Sequence, residues 1–266
     1  MLTEKHRLLR AELKDLTSMA VAFSGGVDSS LLLYLVHQEL KDGCLAVTAH
    51  SCLFPERELR QAQAFCREYG IEHVVIEQDP FSIEGFSMNP HDRCYLCKSA
   101  LFAQVRDVAT SLGIGWIAEG SNLDDEMDYR PGMKALAEYG VRSPLKDAGL
   151  TRAEIRELSL GLGLPTADKP SFACLATRFA FGDTISADGL ARVDRAEQFL
   201  LDEGFGQVRV RCHGSLARIE TDEEGMLLLS DVAIRQRVYD RLIEYGFTFV
   251  SLDLKGYRSG SMNCIS

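Results

Sequence analysis

The stretch Ser24-Gly25-Gly26-Val27-Asp28-Ser29-Ser30 constrains this chain more than any other. An apolar run at 19–23 precedes it and another at 31–36 follows, so it reads as a tight turn from a buried strand into a buried helix. That places it at a helix N-terminus. Two glycines let the backbone approach a ligand, while the N–H groups of the first helical turn and the hydroxyls of Ser24, Ser29 and Ser30 supply donors. Such a loop is suited to phosphate.

Two common phosphate loops are excluded. No Gly-Lys-Ser/Thr follows, so the loop is not of the Walker type, and the third glycine of a dinucleotide fingerprint is missing. The stretch resembles the PP-loop of the N-type ATP pyrophosphatases. This resemblance implies cleavage between the α and β phosphates of ATP, an adenylated intermediate and ATP with Mg2+ as cofactors.

At 266 residues, with 46% hydrophobic and 26% charged side chains, the chain can bury a large core. Its first residues lack the apolar core of a signal peptide and no apolar run is long enough to span a bilayer, so a cytoplasmic location and no membrane partner are expected. A formal charge of −10 argues against an extended nucleic-acid surface. The oligomeric state, including a homo-oligomer, is left open.

Leu8, Leu9, Leu13 and Leu16 predict an amphipathic helix over 3–16, ahead of the first strand. Helices are then expected at 29–40, 55–69 and 96–112, alternating with strands at 44–49, 72–76 and 115–119. This alternation predicts a parallel, helix-flanked, Rossmann-like α/β sheet, whose ligands sit beyond the C-terminal ends of the strands. His50 and Ser51 follow one strand, and Gly120, Ser121 and Asn122 follow another. By the PP-loop resemblance these are ATP-site candidates, and Asn122 reads equally well as a helix cap. Arg142, near the presumed sheet edge, is a candidate to neutralise phosphate. Thr151 and Glu154 form a capping-box pattern that opens a helix to about 160.

The expected divisions are a PP-loop domain over 1–168, an interdomain segment over 169–178 and a small α+β domain over 179–266. The last has helices at 188–203 and 231–245 and a mostly antiparallel sheet from strands at 208–212, 216–220 and 247–253.

Eight cysteines in a chain without a secretion signal are better read as thiols, metal ligands or redox groups than as a disulfide framework. Cys94 and Cys97 form a C-x-x-C pair in a loop running into a helix, and Cys174 lies in the interdomain segment. Two unrelated thiols, a redox dithiol and a metal site all fit the pair. Three thiolates on a [4Fe–4S] cluster would leave one iron open to bind sulfide. Cys44, Cys52 and Cys66 read instead as small core hydrophobes.

Arg209 and Arg211 alternate with Val210 on a predicted strand, so both guanidinium groups share a face and suit a phosphate or carboxylate. A solvated face is the commoner reading of that spacing. For Glu197 on the preceding helix, a surface ion pair is the default.

Together SGGVDSS, RCYLCK, KPSFACLATR, RVRCHG and GYRSGSMN resemble one family across nearly the whole chain: the LarE-type ATP-dependent pyridinium biscarboxylate mononucleotide sulfur transferases, which serve the nickel-pincer cofactor of lactate racemase. The resemblance implies adenylation of a substrate carboxylate and exchange of its oxygen for sulfur. It further implies Asp28 and Cys174 as catalytic, with Cys174 at the sulfur-donor position, and Arg209 and Arg211 on the substrate phosphate. Glu197 would lie near the substrate or a metal ion. Members with additional cysteines are held to carry a cluster, which assigns Cys94, Cys97 and Cys174 to iron and requires a sulfide source. A PP-loop tRNA thiolase and a non-catalytic adenine-nucleotide-binding module are the rival readings.

Overall fold

The computed structural model describes residues 2–127, 131–170, 172–258 and 260–262. Ser171, Ser259 and Asn263 of the family motifs, and Cys264, lie outside them. The chain divides into two compact units, one of residues 1–79 and 92–172, the other of 80–91 and 173–266.

The first unit opens with α1 (Leu2–Lys14), β1 (Met19–Ala22), α2 (Val27–Leu40), β2 (Cys44–His50), α3 (Glu56–Tyr69) and β3 (Glu72–Glu77). It resumes with α4 (Arg93–Ser111), β4 (Trp116–Ala118), α5 (Gly132–Glu138), α6 (Pro144–Asp147) and α7 (Arg152–Gly161). The strands pair in the order β3-β2-β1-β4, and every pairing is parallel.

Alternation along β1 and β2 explains the layers. Met19, Val21, Cys44 and Ala46 pack with Leu9, Leu31, Leu35, Phe65 and Ile155 on one face. Ala20, Leu45 and Val47 pack with Phe102, Val105 and Leu136 on the other. Both faces of the two inner strands are therefore buried, as a parallel sheet requires. The PP-loop follows β1, between its neighbours β2 and β4.

The second unit holds α8 (Ala187–Asp202), β5 (Val208–His213), β6 (Leu216–Thr221), α9 (Glu223–Leu228), α10 (Val232–Glu244) and β7 (Phe249–Leu252). Its sheet runs β5-β6-β7, with the first pair antiparallel and the second parallel. The mostly antiparallel expectation is corrected to a mixed sheet: two helices separate β6 from β7, and a crossover of that length returns the chain in the same direction. The segment 80–91 is tied in by Asn89, whose amide donates to the carbonyls of Phe179 and Ala180 at 3.4 and 2.5 Å.

Among the described residues no helix is long and apolar enough to cross a membrane.

Candidate active site

The loop after β1 takes the form that its glycines dictate. Gly25 adopts φ +71°, a conformation that L side chains rarely enter. Gly26 is the extended N-cap of α2, and no side chain caps that terminus. The orphan donors of the first turn are thus left to a ligand. Ser24 Oγ and Ser29 Oγ lie 3.0 Å apart, and Ser29 Oγ donates to the Gly26 carbonyl at 3.2 Å. The Ser30 hydroxyl is buried without a hydrogen-bond partner.

A second loop closes on the first from the end of β4. A Cβ on Gly120 would stand 2.9 Å from the Ser29 nitrogen, so only glycine lets the two backbones approach this closely. Fully buried Asn122 donates through Nδ2 to Asp28 Oδ2 at 3.0 Å and accepts from the Asp124 N–H at 3.0 Å. It is a local cap and a bridge to the PP-loop at once. Burial pushes the Asp28 carboxyl above its usual range, and nearby Asp125 adds to this against the Asn122 bond and two arginines.

Ser121 Oγ and Ser143 Oγ both donate to the Glu119 carboxylate, at 2.8 and 2.7 Å, and Lys98 Nζ stands 3.9 Å from it. Glu119 and Ser143 belong to no motif in the sequence, and Lys98 only closes RCYLCK. A polar residue directly after a buried strand was the available signal for Glu119.

The remaining ATP candidates are placed differently. His50 lies between Glu77 at 2.9 Å and Glu56 at 3.3 Å, whose carboxylates raise its pKa. Ser51 is buried, with its hydroxyl accepting from the Leu53 N–H at 3.4 Å. Arg142 extends its backbone beside Ala118, but its guanidinium pairs with Glu12 and lies 5.1 Å over the Trp116 ring. Trp116 starts β4 whereas Gly120 follows its end, so this side chain is turned away from the phosphate loop.

The C-x-x-C pair is helical. Cys94 and Cys97 occupy the start of α4, not a loop, because the helix begins at Arg93. At i and i+3 their thiols share a face, and both are half-buried. The Cys97 carbonyl accepts from Gln78 Nε2 at 3.2 Å. Among the described residues no three His, Cys, Asp or Glu side chains are grouped closely enough to hold a metal ion. Burial pushes the Cys44 and Cys66 thiols up to about 12, so they are inert core groups. Cys52 differs from that expectation, because it is exposed.

In the second unit Cys174 immediately precedes a 3-10 turn, Leu175–Arg178. Arg178 is fully buried. Its Nε and Nη2 meet the two Glu197 oxygens at 2.8 and 2.9 Å, and Nη1 reaches the Ala173 and Cys174 carbonyls at 2.7 and 3.2 Å. The Val210 N–H completes the set by donating to Glu197 Oε1 at 2.9 Å. Burial favours the neutral acid, but the Arg178 charge outweighs it and holds the Glu197 carboxyl below its usual range. The surface ion pair expected at Glu197 is therefore a buried one, and its oxygens are occupied by protein donors. The signal for Arg178 in the sequence is its place four residues after Cys174, within KPSFACLATR.

Arg209 and Arg211 are buried as well, which corrects the solvated-face reading. Arg211 forks onto Glu220 Oε2 at 2.9 and 2.8 Å. Arg209 donates to the Val208 carbonyl at 2.7 Å and sits 5.1 Å over the Tyr257 ring. Burial lowers its pKa, and the like charge of Arg178 adds to the effect.

Comparisons with known proteins follow the same outline. A family model described as asparagine synthase matches residues 8–84, the segment that contains the PP-loop. An uncharacterized protein of Synechocystis sp. is 40% identical over 265 residues, covering 99% of this chain and 98% of that protein. The pyridinium-3,5-bisthiocarboxylic acid mononucleotide synthase of Lactiplantibacillus plantarum is 38% identical over 266 residues, covering 98% and 95%. The tRNA-specific 2-thiouridylase MnmA of Rickettsia conorii is 28% identical over 193 residues, covering 58% of this chain and 51% of that protein.

Proposed function

Since this chain belongs to the family of the pyridinium-3,5-bisthiocarboxylic acid mononucleotide synthase, we propose that it is an ATP-dependent sulfurtransferase acting on a pyridinium biscarboxylate mononucleotide. The full-length similarity carries this reading, because it spans both units. The similarity to the tRNA thiolase spans little more than half of either chain.

A substrate carboxylate oxygen attacks the α phosphate of ATP, the α–β bridging bond breaks, and pyrophosphate leaves with that electron pair. The product is an acyl adenylate. Sulfide from the external source then attacks the acyl carbon and gives up its proton, AMP departs with the former carboxylate oxygen and the electron pair of the broken C–O bond, and a thiocarboxylate remains. AMP is needed because a bare carboxylate oxygen is a poor leaving group.

The residues divide accordingly. The uncapped N-terminus of α2 and Ser24, Ser29 and Ser30 hold the phosphates, with Mg2+. Asp28, fixed by Asn122, stands in the same first turn of α2. Arg209 and Arg211 belong to the substrate-phosphate region of the second unit. Glu197 acts through Arg178, which fixes the backbone that carries Cys174.

The donor set fits a [4Fe–4S] cluster in chemistry: Cys94, Cys97 and Cys174 are soft ligands, none is in a disulfide, and two share a helix face. When bound, that cluster would supply an iron that accepts sulfide from an external source.

Anaerobic purification with iron and sulfide assays, repeated for Cys94→Ala, Cys97→Ala and Cys174→Ala, tests the cluster. Loss of iron in all three variants is expected. A wild type that takes up no iron on reconstitution, yet loses sulfur from Cys174 during turnover, refutes the cluster and leaves a sacrificial cysteine. Pyrophosphate release that requires the pyridinium substrate tests the reaction itself.

A further inference from the structure

Lys169 stands at the PP-loop although no phosphate-loop motif calls for a lysine there. Its Nζ donates to the Gly25 carbonyl at 3.0 Å and pairs with Glu58 Oε2 at 2.7 Å. The two side chains are 15% and 12% exposed, so the pair is largely shielded from water. The position is not an accident of a flexible segment. Arg156 on α7 donates to the Ala167 and Lys169 carbonyls at 2.9 and 2.8 Å and so fixes the backbone that carries the ammonium.

Helix α3 completes the arrangement. A Cβ on Gly25 would lie 3.3 Å from Ala62 Cβ, so this helix packs directly on the loop. Glu58, one turn before Ala62, faces the same place. Other cations of this unit are directed elsewhere: Arg142 at Glu12, Arg152 at Asp125 and Lys98 at Glu119. Of these four, Lys169 alone touches the loop backbone.

We propose that Lys169 is the cation that neutralises the β and γ phosphates of ATP on this loop, and that Glu58 is its counter-ion in the nucleotide-free protein. This rests on the ATP-dependent reading above. A Walker loop places its lysine inside the motif, and this loop takes one from a distant segment. The four-carbon stem of lysine lets the ammonium turn from Glu58 to phosphate while Arg156 holds the backbone still. Two anions then compete for one cation. The triphosphate carries more charge than a carboxylate and is also repelled by Glu58. Once pyrophosphate leaves, the ammonium returns to Glu58. The segment that carries Lys169 continues within five residues to Cys174, so the same stretch of chain serves both halves of the reaction.

The test is equilibrium binding of α,β-methylene-ATP and of AMP to the full chain, in wild type, Lys169→Met, Lys169→Arg and Glu58→Gln, with thermal melting to confirm folding. Lys169→Met is expected to weaken the triphosphate analogue by about tenfold or more, the scale of one charge-assisted hydrogen bond, and to leave AMP unchanged. Lys169→Arg is expected to restore most of that loss. Glu58→Gln is expected to bind the analogue at least as tightly as wild type, because the competing anion is gone. Equal weakening of both nucleotides by Lys169→Met, or weakening by Glu58→Gln as large as by Lys169→Met, would make the pair a structural one and overturn the proposal. A wild type that binds neither nucleotide and releases no pyrophosphate from ATP would instead refute the ATP reading on which it rests.

Discussion

Arg178 grips Glu197 with two nitrogens, at 2.8 and 2.9 Å, and with its third reaches the carbonyl oxygen of Cys174 at 3.2 Å. The pair lies entirely out of solvent, so removing the acid leaves a buried cation with no counter-charge. Glu197→Ala is expected to lose about 3–5 kcal/mol in urea unfolding. Because the folded carboxyl titrates below its ordinary value of 4.5, its contribution is complete above that pH and disappears as the pH falls through the lower folded value. Stability followed downward from pH 6 should therefore drop more steeply in wild type than in Glu197→Gln.

Gly120 meets Ser29 backbone, not a side chain that can rotate away. Gly120→Ala is expected to cost about 1–3 kcal/mol through overpacking and to open the PP-loop, weakening ATP. Gly25→Ala is expected to cost about 1–2 kcal/mol through its left-handed conformation, with crowding against Ala62 Cβ at 3.3 Å added to it. Paired denaturation and nucleotide-binding measurements separate the two effects, since only the first variant forces the β4 loop away from α2.

Asp28 has the opposite sign from Glu197. Its folded pKa lies above the ordinary 3.8, so the folded protein favours the protonated acid, and stability falls as the pH rises through the folded value. Asp28→Asn keeps an acceptor for Asn122 and removes the buried charge. The variant is expected to melt higher than wild type at neutral pH, to match it below 3.8 and to lose turnover. A lower melting temperature at neutral pH would contradict this.

His50 carries a side chain 41% exposed, so its partners Glu77 and Glu56 are read by titration and not by stability. Its imidazole should titrate above 6.5 by NMR, and Glu77→Gln should bring the midpoint back toward that value. The charge is present below the raised midpoint and lost as the pH rises through it.

The first unit was legible in sequence because its signals are local and redundant. Runs such as 19–23 and 44–49 are buried on both faces, and glycines at 25, 70 and 113 mark turns with positive φ. The start of α4 was missed because Asp92, its N-cap, makes no side-chain capping bond and Pro90 invites a loop reading. Glu197, Arg209 and Arg211 read as surface groups because charge on a helix or strand is normally solvated. Arg178 for Glu197 and Glu220 for Arg211, both outside the local pattern, supply the opposite charge that permits burial. Lys169 was invisible as a site for the same reason: its partner Gly25 lies 144 residues away.

The order in which the chain visits its two units sets the order in which it can be built. Residues 80–91 leave the ribosome well before 173–266, so Asn89 must wait for Phe179 and Ala180 to be synthesised before its amide has those carbonyls to bond. During that interval the following helix, with Cys94 and Cys97, is already available to fold on the first sheet. A fragment starting at 173 would lack the two 3-10 turns of 80–91, and one ending at 172 would carry those turns without the residues they pack with. The later unit therefore folds with its own full set of contacts only when 80–91 is supplied to it.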